Sequence, residues 1–201
     1  MPVCSRCTGV YLGFIFSLLI LLAFERKIKA SLPGRKIIIT LIMLFGFMVI
    51  DAALNFLRVI TANNIVRFVT GYSVGWFLVL VLLPLKNSII FCKKFLCQKT
   101  YLDKKPNFII WLFASILIAL SFILTYKKTL MVWSIFSILG LLVFISFIVY
   151  ILFFALIKRL SNSVCSPARY ILFFIISVFI SAGFIALSSV FKSFIHPYFR
   201  F

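Results

Sequence analysis

Six long apolar runs follow one another along the chain, separated by short basic segments. Each run has about 18 or more residues, which is the length that an α-helix needs to cross a hydrocarbon core of about 30 Å. Pro33, Pro106 and Pro167 lie between the runs, where a helix is expected to end. We therefore predict six membrane-spanning helices, at Thr8–Phe24, Ile37–Ile60, Phe68–Leu85, Phe108–Thr125, Leu130–Ile157 and Tyr170–Ile195.

The composition agrees with a membrane protein. Of the 201 residues, 65% are hydrophobic and the mean hydropathy is +1.25, whereas a soluble domain has about 45–50% apolar residues. Because lipid offers the backbone no hydrogen-bond partners, the spans must be helices. We predict an all-α, polytopic transmembrane bundle that forms a single integral-membrane domain over residues 1–201. Trp111 and Trp133 are expected to be interface anchors.

Positive charge is distributed unequally between the two sides of this predicted bundle. The chain has 21 Lys and Arg residues against 3 acidic ones, a formal net charge of +18. Fourteen basic residues lie on the side of the first, third and fifth connectors, and seven lie on the other. The positive-inside rule makes the first side cytoplasmic, so both termini are expected to be extracytoplasmic, in a prokaryotic cell (inner) membrane.

The same charge pattern bears on partners and on targeting. Basic loops beside spans attract anionic lipid, so membrane lipid is the expected partner. Nucleic acid is not expected, since no basic face remains once the loops are assigned, and the question of protein partners stays open. The first span is not expected to be a cleaved signal peptide, because only Arg6 precedes its apolar run and the basic cluster follows it.

Cys4 and Cys7 form a Cys-x-x-Cys pair at the predicted outer face. Two thiols at this spacing lie one helical turn apart, so they can share a metal ion or form a disulfide with each other. Tyr11 is expected on the same helix face. Three interpretations stay open: redox or metal chemistry, a static disulfide, and two small residues without a special role. Zinc needs about four ligands, and only two are in sight.

A polar stripe runs along the second predicted span. Asp51 is the one acidic residue within any span, and Asn55 and Arg58 follow it at i+4 and i+7. About 13 Å below the outer end of its helix, a carboxylate is costly unless it is paired, neutral or hydrated. Arg58, bridged by Asn55, and Arg67 are the expected partners.

The third predicted span continues this seam with Arg67, Thr70, Gly71, Val74 and Gly75 along one stripe. The Gly-x-x-x-Gly spacing lets another helix approach closely, so the second and third spans are predicted to pack as a hairpin with a polar seam that opens outward. One interpretation is a buried clamp that fixes helix register. The other is a proton-handling or substrate-binding carboxylate, with Arg58 or Arg67 holding an anionic group.

The Cys-Ser-Arg-Cys-Thr-Gly block at residues 4–9 resembles an uncharacterised prokaryotic membrane family, domain of unknown function 2085. The Asp51, Asn55 and Arg58 pattern, the Arg-Phe-Val-Thr-Gly segment from Arg67 and the later Leu-Pro at residues 83–84 extend the resemblance over about the first 85 residues. The family implies a Cys-His pair upstream of the Cys-x-x-Cys, but this sequence begins at the motif. Either the start lies further upstream, and that Cys and His complete a zinc set, or this member has lost that half.

Three functional hypotheses follow. The leading one is a multi-pass membrane protein with an extracytoplasmic thiol or metal site, in which Cys4, Cys7 and Asp51 are candidate catalytic residues and the two cysteines are candidate metal ligands. The second is a small transporter or ion pathway that uses the intramembrane Asp, although the inner halves of the spans look apolar. The third is a non-catalytic subunit of a membrane complex. No enzymatic activity is assigned, and zinc is indicated only if an upstream Cys-His exists. The candidate binding residues are Tyr11, Asn55, Arg58, Arg67 and Thr70.

Overall fold

Five long helices form the framework of the protein. The computed structural model describes residues 4–25, 28–57, 63–91, 97–103, 105–156, 171–172, 174–183 and 186. In chain order the elements are α1 (Ser5–Phe24), β1 (Lys29–Ser31), α2 (Arg35–Phe56), α3 (Asn64–Ile90), β2 (Cys97–Thr100), α4 (Lys105–Thr125), α5 (Leu130–Leu156) and α6 (Phe174–Gly183). Helices α1 to α5 are each long and apolar enough to cross a membrane. The predicted all-α transmembrane bundle is confirmed.

The sixth predicted span is described only in part. Its described section contains α6, an apolar helix that is shorter than a full crossing. The remainder of Tyr170–Ile195 lies outside the described residues. A hydrogen bond of 2.7 Å between the hydroxyls of Ser146 and Ser181 joins α5 to α6, so α6 packs against the bundle.

The helices alternate in direction, which gives the bundle two ends. Cys4, Asp51 and Arg67 lie at one end, where Arg6 of α1 pairs with Asp51 of α2. We call this end the Cys face. We call the other end, with Glu25, Lys29 and Tyr101, the strand face. There β1 and β2, from the first and third connectors, pair in parallel. This small sheet was not predicted, but it places those two connectors on one side, as the alternation of spans requires.

Helices α1 and α3 run parallel with their backbones almost in contact. A Cβ added at Gly75 would lie 2.8 Å from the carbonyl carbon of Val10, and one added at Gly13 would lie 3.0 Å from the backbone nitrogen of Trp76. Gly9 and Gly71 face the opposite helix as closely. Each helix therefore contributes a Gly-x-x-x-Gly face, and the two faces interlock.

The predicted partner of the α3 glycines was therefore wrong. Gly71 and Gly75 receive α1 rather than α2, because α1 brings its own glycines to the contact. Helix α2 does lie beside α3, as the predicted hairpin requires. However, α2 has no buried residues, and a Cβ at Gly46 would meet nothing within 4 Å. Helix α2 is thus a peripheral helix whose apolar side chains face lipid.

Aromatic rings fill the space between α1, α3, α4 and α5. The rings of Trp76 and Trp111 lie 5.3 Å apart, and those of Phe14 and Phe147 lie 5.5 Å apart. Trp111 is completely buried, so the prediction that it anchors the interface was wrong. Tyr72, one turn before Trp76, helps to explain the burial of Trp111. Its hydroxyl donates to the carbonyl of Ser115 at 3.1 Å, which holds α4 against α3.

Helix α3 continues past Pro84 to Ile90, five residues beyond the predicted end of the span. Lys86 was expected in a loop, but its side chain is only 2% exposed. Its amino group lies 4.1 Å from the ring centroid of Phe147 and 5.9 Å from that of Tyr150. The aromatic faces attract the cation, which explains why the helix can extend with a lysine inside it.

A network of hydrogen bonds closes the strand face. Glu25 pairs with Lys29, and its carboxylate also accepts the backbone N–H of Leu102 at 3.2 Å. The Asn87 side-chain amide donates to the Lys29 carbonyl at 2.9 Å and to the Tyr101 hydroxyl at 3.0 Å. Burial raises the pKa of Tyr101 above its ordinary value. These bonds join α1, α3 and the sheet, so this end of the bundle is firmly fixed.

Candidate functional site

The two cysteines of the motif lie at the first turn of α1. Cys4 is the N-cap residue, and its sulfur accepts the backbone N–H of Cys7 at 3.3 Å. Cys4 is exposed, Cys7 is partly buried, and both are free thiols. A side chain that accepts an N–H at a helix start satisfies one of the donors that the helix leaves unpaired. The local fold thus places the two sulfurs about one helical turn apart, and the sulfur of Cys4 is the more accessible of the two.

Arg6, between the two cysteines, is the partner of Asp51. The two side chains are 21% and 19% exposed. The expected partners of this carboxylate were Arg58 and Arg67, but Arg67 donates to Asn55 instead. Arg58 lies outside the described residues. Arg6 reaches Asp51 because the contact between Gly71 and the Arg6 backbone brings the first turn of α1 to the level of this carboxylate.

Arg67 and Asn55 form the second contact of the polar seam. The guanidinium of Arg67 donates to the side-chain carbonyl of Asn55. The Asn55 amide in turn donates to the Asp51 backbone carbonyl at 3.4 Å, and Thr70 donates to the carbonyl of Arg67 at 3.1 Å. The seam predicted between α2 and α3 therefore exists, and it also includes α1.

The end of α2 changes the depth of the seam. The helix was predicted to reach Ile60, but it ends at Phe56. Asp51 thus lies about 7.5 Å from the end of its helix rather than about 13 Å, and its carboxylate pairs with Arg6.

Tyr11 lies one helical turn after Cys7, on the side of α1 that faces α5. Its ring centroid is 6.0 Å from that of Phe144, and its backbone carbonyl lies against Gly140. The predicted shared face of the cysteines and Tyr11 agrees with this geometry. Tyr11 therefore bounds the thiol pair on the α5 side, whereas Arg6 bounds it on the α2 side.

The residues described do not supply a complete zinc site. No group of three or more His, Cys, Asp or Glu side chains comes together in this part of the chain. Asp51, the nearest carboxylate to the motif in the seam, is engaged by Arg6. Cys4 and Cys7 thus offer two ligands, and a zinc ion would need others from outside the described residues. The metal prediction stays a prediction.

Two concave surfaces adjoin the Cys face. A cleft of about 330 Å³ begins at Ser5 and is lined mainly by apolar and aromatic side chains, among them Phe68, Phe122 and Tyr126. A groove of about 400 Å³ runs between α2 and α3, from Asp51 and Thr70 towards the membrane interior. Both surfaces open at or near the candidate residues.

Sequence reasoning missed two polar residues of functional interest. Arg6 stood inside the cysteine motif, and a lone basic residue beside an intramembrane Asp at the same face was the signal that could have identified it. Lys86 was assigned to a connector because the third apolar run was predicted to end at Leu85. With Lys86 and Asn87 both buried, the inner half of α3 is not uniformly apolar, contrary to expectation.

Comparison with known proteins supports the predicted resemblance. Residues 1–81 match the model of a family described as "Predicted membrane protein (DUF2085)". The chain is also 30% identical, over 96 residues, to the "Uncharacterized protein MJ1492" of Methanocaldococcus jannaschii, an alignment that covers 47% of this chain and 58% of that protein. The chain thus spans a little over half the length of that relative. No solved structure shows a significant match.

Proposed function

We propose that this chain presents a reactive dithiol at the extracytoplasmic surface of a membrane. Its match to a family of predicted membrane proteins over residues 1–81 supports the membrane location. Cys4 and Cys7 would exchange disulfides with partner proteins. The observation that carries the proposal is the hydrogen bond from the Cys7 backbone N–H to the exposed Cys4 sulfur, at a helix start that an ion pair and a glycine contact hold in place.

The geometry assigns different roles to the two thiols. Cys4 is the exposed thiol of the pair, and a nucleophile in disulfide exchange must be accessible to its partner, so Cys4 would be the attacking residue. Cys4 would attack one sulfur of a partner disulfide and release the other as a thiolate. Cys7 would then attack the mixed disulfide and release the partner as a dithiol. The partner gains two electrons and two protons, and Cys4–Cys7 becomes a disulfide.

The proposal assigns the Cys face to the extracytoplasmic side of a prokaryotic cell membrane. The excess of basic residues in the connectors of the strand face supports this orientation. An oxidising compartment also suits disulfide chemistry, since thiols in the cytoplasm are kept reduced. Cys97, on the strand face, would then remain a thiol.

Alkylation trapping in native membranes tests the redox state. The full chain is expressed with Cys92, Cys97 and Cys165 replaced by Ser, and its free thiols are labelled with a mass-adding maleimide before and after reduction. In part of the protein, Cys4 and Cys7 should form a disulfide and take up two labels only after reduction. In Cys4→Ser, Cys7 has no disulfide partner within the motif and should be labelled without reductant. Two thiols that stay fully labelled in an oxidising medium would contradict the proposal.

A membrane-impermeant maleimide tests the orientation separately. Intact cells carrying a variant whose only cysteine is Cys4 should be labelled from outside, because this side chain is exposed. A variant whose only cysteine is Cys97 is the matched control and should be labelled only after the membrane is permeabilised. The reverse pattern would place the Cys face in the cytoplasm.

A transport pathway through Asp51 receives less support from the geometry. The carboxylate is engaged by Arg6, whereas a proton or ion carrier must release its carboxylate during each cycle. The pair is better explained as the clamp that holds α1 against α2. A role as a non-catalytic subunit stays a prediction.

A further inference from the structure

The polar seam at the Cys face carries more positive than negative charge. Arg6 and Arg67 contribute two guanidinium groups, whereas Asp51 contributes one carboxylate and Asn55 is neutral. Counted over the residues that the structure describes, the seam thus has one more positive than negative charge. An unpaired charge at the edge of a hydrocarbon region is costly unless an anion accompanies it.

Both guanidinium groups also retain unused hydrogen-bond capacity. Among the residues described, the Nε atoms of Arg6 and Arg67 are buried and have no hydrogen-bond partner. A buried donor without a partner costs about 1–3 kcal/mol, and more when the group is charged. The excess charge and the two orphan donors point to the same missing component, an anionic oxygen ligand.

The groove between α2 and α3 indicates what kind of molecule carries that anion. Its lining includes Asp51 and Thr70, which contact Arg6 and Arg67, and is otherwise mostly apolar, from Leu44 to Leu54 on α2. Ten residues of helix correspond to about 15 Å, a length suited to part of an acyl chain. The groove lies on the periphery of the bundle, because α2 has no buried residues.

We infer that the α2–α3 groove binds an anionic phospholipid, with the phosphate at Arg6 and Arg67 and one acyl chain in the groove. The phosphodiester offers oxygens to the partly exposed guanidinium groups of the two arginines and neutralises the excess charge. Asp51 lies about 7.5 Å from the end of α2, so a phosphate there would lie near the Cys-face end of the bundle, where head groups are expected. A zwitterionic lipid fits less well, since its own cation would lie beside two arginines.

Asn55→Asp is the most informative variant. The new carboxylate keeps the acceptor that Arg67 uses and cancels the excess charge, so the protein should fold while the anion loses its attraction. Lys127→Gln is the matched control. It lowers the net charge by the same one unit, at an exposed position in the turn between α4 and α5, away from the seam.

Native mass spectrometry of the full chain, from bicelles with equal amounts of phosphatidylglycerol and phosphatidylcholine, measures the preference directly. We expect the wild type and Lys127→Gln to retain phosphatidylglycerol preferentially, and Asn55→Asp to lose this preference by about tenfold. Equal retention of the two lipids by the wild type, or an unchanged preference in Asn55→Asp, would overturn the inference.

A second variant separates a lipid from free phosphate. Ser73 lines the groove and its hydroxyl donates to the Val69 carbonyl at 2.9 Å, so Ser73→Leu narrows the groove without changing charge. We expect Ser73→Leu to weaken retention of phosphatidylglycerol. Two results together would overturn the lipid assignment: complete displacement of the lipid by millimolar inorganic phosphate, and unchanged retention of phosphatidylglycerol in Ser73→Leu. They would identify an anion site without a groove for an acyl chain.

Discussion

Gly75→Ala tests the interlocking contact of α1 and α3. A Cβ at this position would lie 2.8 Å from the carbonyl carbon and 2.9 Å from the Cα of Val10, and would also overlap the Val10 carbonyl oxygen. All three atoms belong to the backbone, so no side-chain rotation can relieve the overlap. The two helices would have to separate.

The magnitude follows from two opposing effects. Overpacking costs about 1–3 kcal/mol, and the upper end applies here because the obstructing atoms are backbone. Alanine favours the helix over glycine by about 1 kcal/mol. The expected net loss is therefore about 2 kcal/mol in the free energy of unfolding, which corresponds to roughly a thirtyfold change in the unfolding equilibrium.

Titration with SDS in mixed micelles can measure this loss, followed by the near-ultraviolet circular dichroism of the buried Trp76 and Trp111. Gly46→Ala is the matched control, since a Cβ there would meet nothing within 4 Å. It should be neutral or slightly stabilising. Equal midpoints for Gly75→Ala and Gly46→Ala would refute the packing described for α1 and α3.

Substitutions at three further positions test other contacts by the same titration. Asp51→Asn leaves Arg6 without its counter-ion and should lower the free energy of unfolding by about 1–3 kcal/mol, between the values for exposed and buried pairs; no loss would argue against the pair. Lys86→Met should be tolerated because it keeps the apolar stem, whereas Lys86→Glu would place negative charge against the face of Phe147 and should unfold the protein; equal tolerance would contradict the aromatic contact. Tyr101→Phe should cost about 1 kcal/mol. Burial raises the pKa of Tyr101, so the contribution of this side chain to stability is complete below about pH 10 and is lost as the pH rises through the pKa of the folded state. Tyr101→Phe should therefore lose less stability above pH 10 than the wild type. Identical dependence of stability on pH in the two proteins would contradict the role of the Tyr101 hydroxyl.

The fold could be predicted largely from apolar run length. The described parts of the first five runs became helices, with ends shifted by a few residues, because lipid leaves the backbone no other way to satisfy its hydrogen bonds. The sheet at the strand face could not be predicted. Lys29–Ser31 and Cys97–Thr100 are short and polar, and they pair only because the helices bring them together.

Neighbour relations in the site were harder to predict than its members. Cys4, Cys7, Asp51, Asn55 and Arg67 were all identified from residue type and spacing. Their pairing was not, because spacing describes one helix face and does not specify which helix lies opposite. The glycines of α1 decide this, since they bring Arg6 to Asp51 and leave Arg67 for Asn55.

Mixed-disulfide trapping tests the proposed dithiol most directly. In cells that express the full chain without Cys92, Cys97 and Cys165, Cys7→Ser removes the thiol that would resolve the intermediate, so Cys4 should accumulate in a disulfide-linked adduct on non-reducing gels. Cys4→Ser lacks the nucleophile and should give no adduct. An adduct that requires Cys4 and disappears on reduction is the predicted result, whereas no adduct in Cys7→Ser, or equal adducts in both variants, would contradict it.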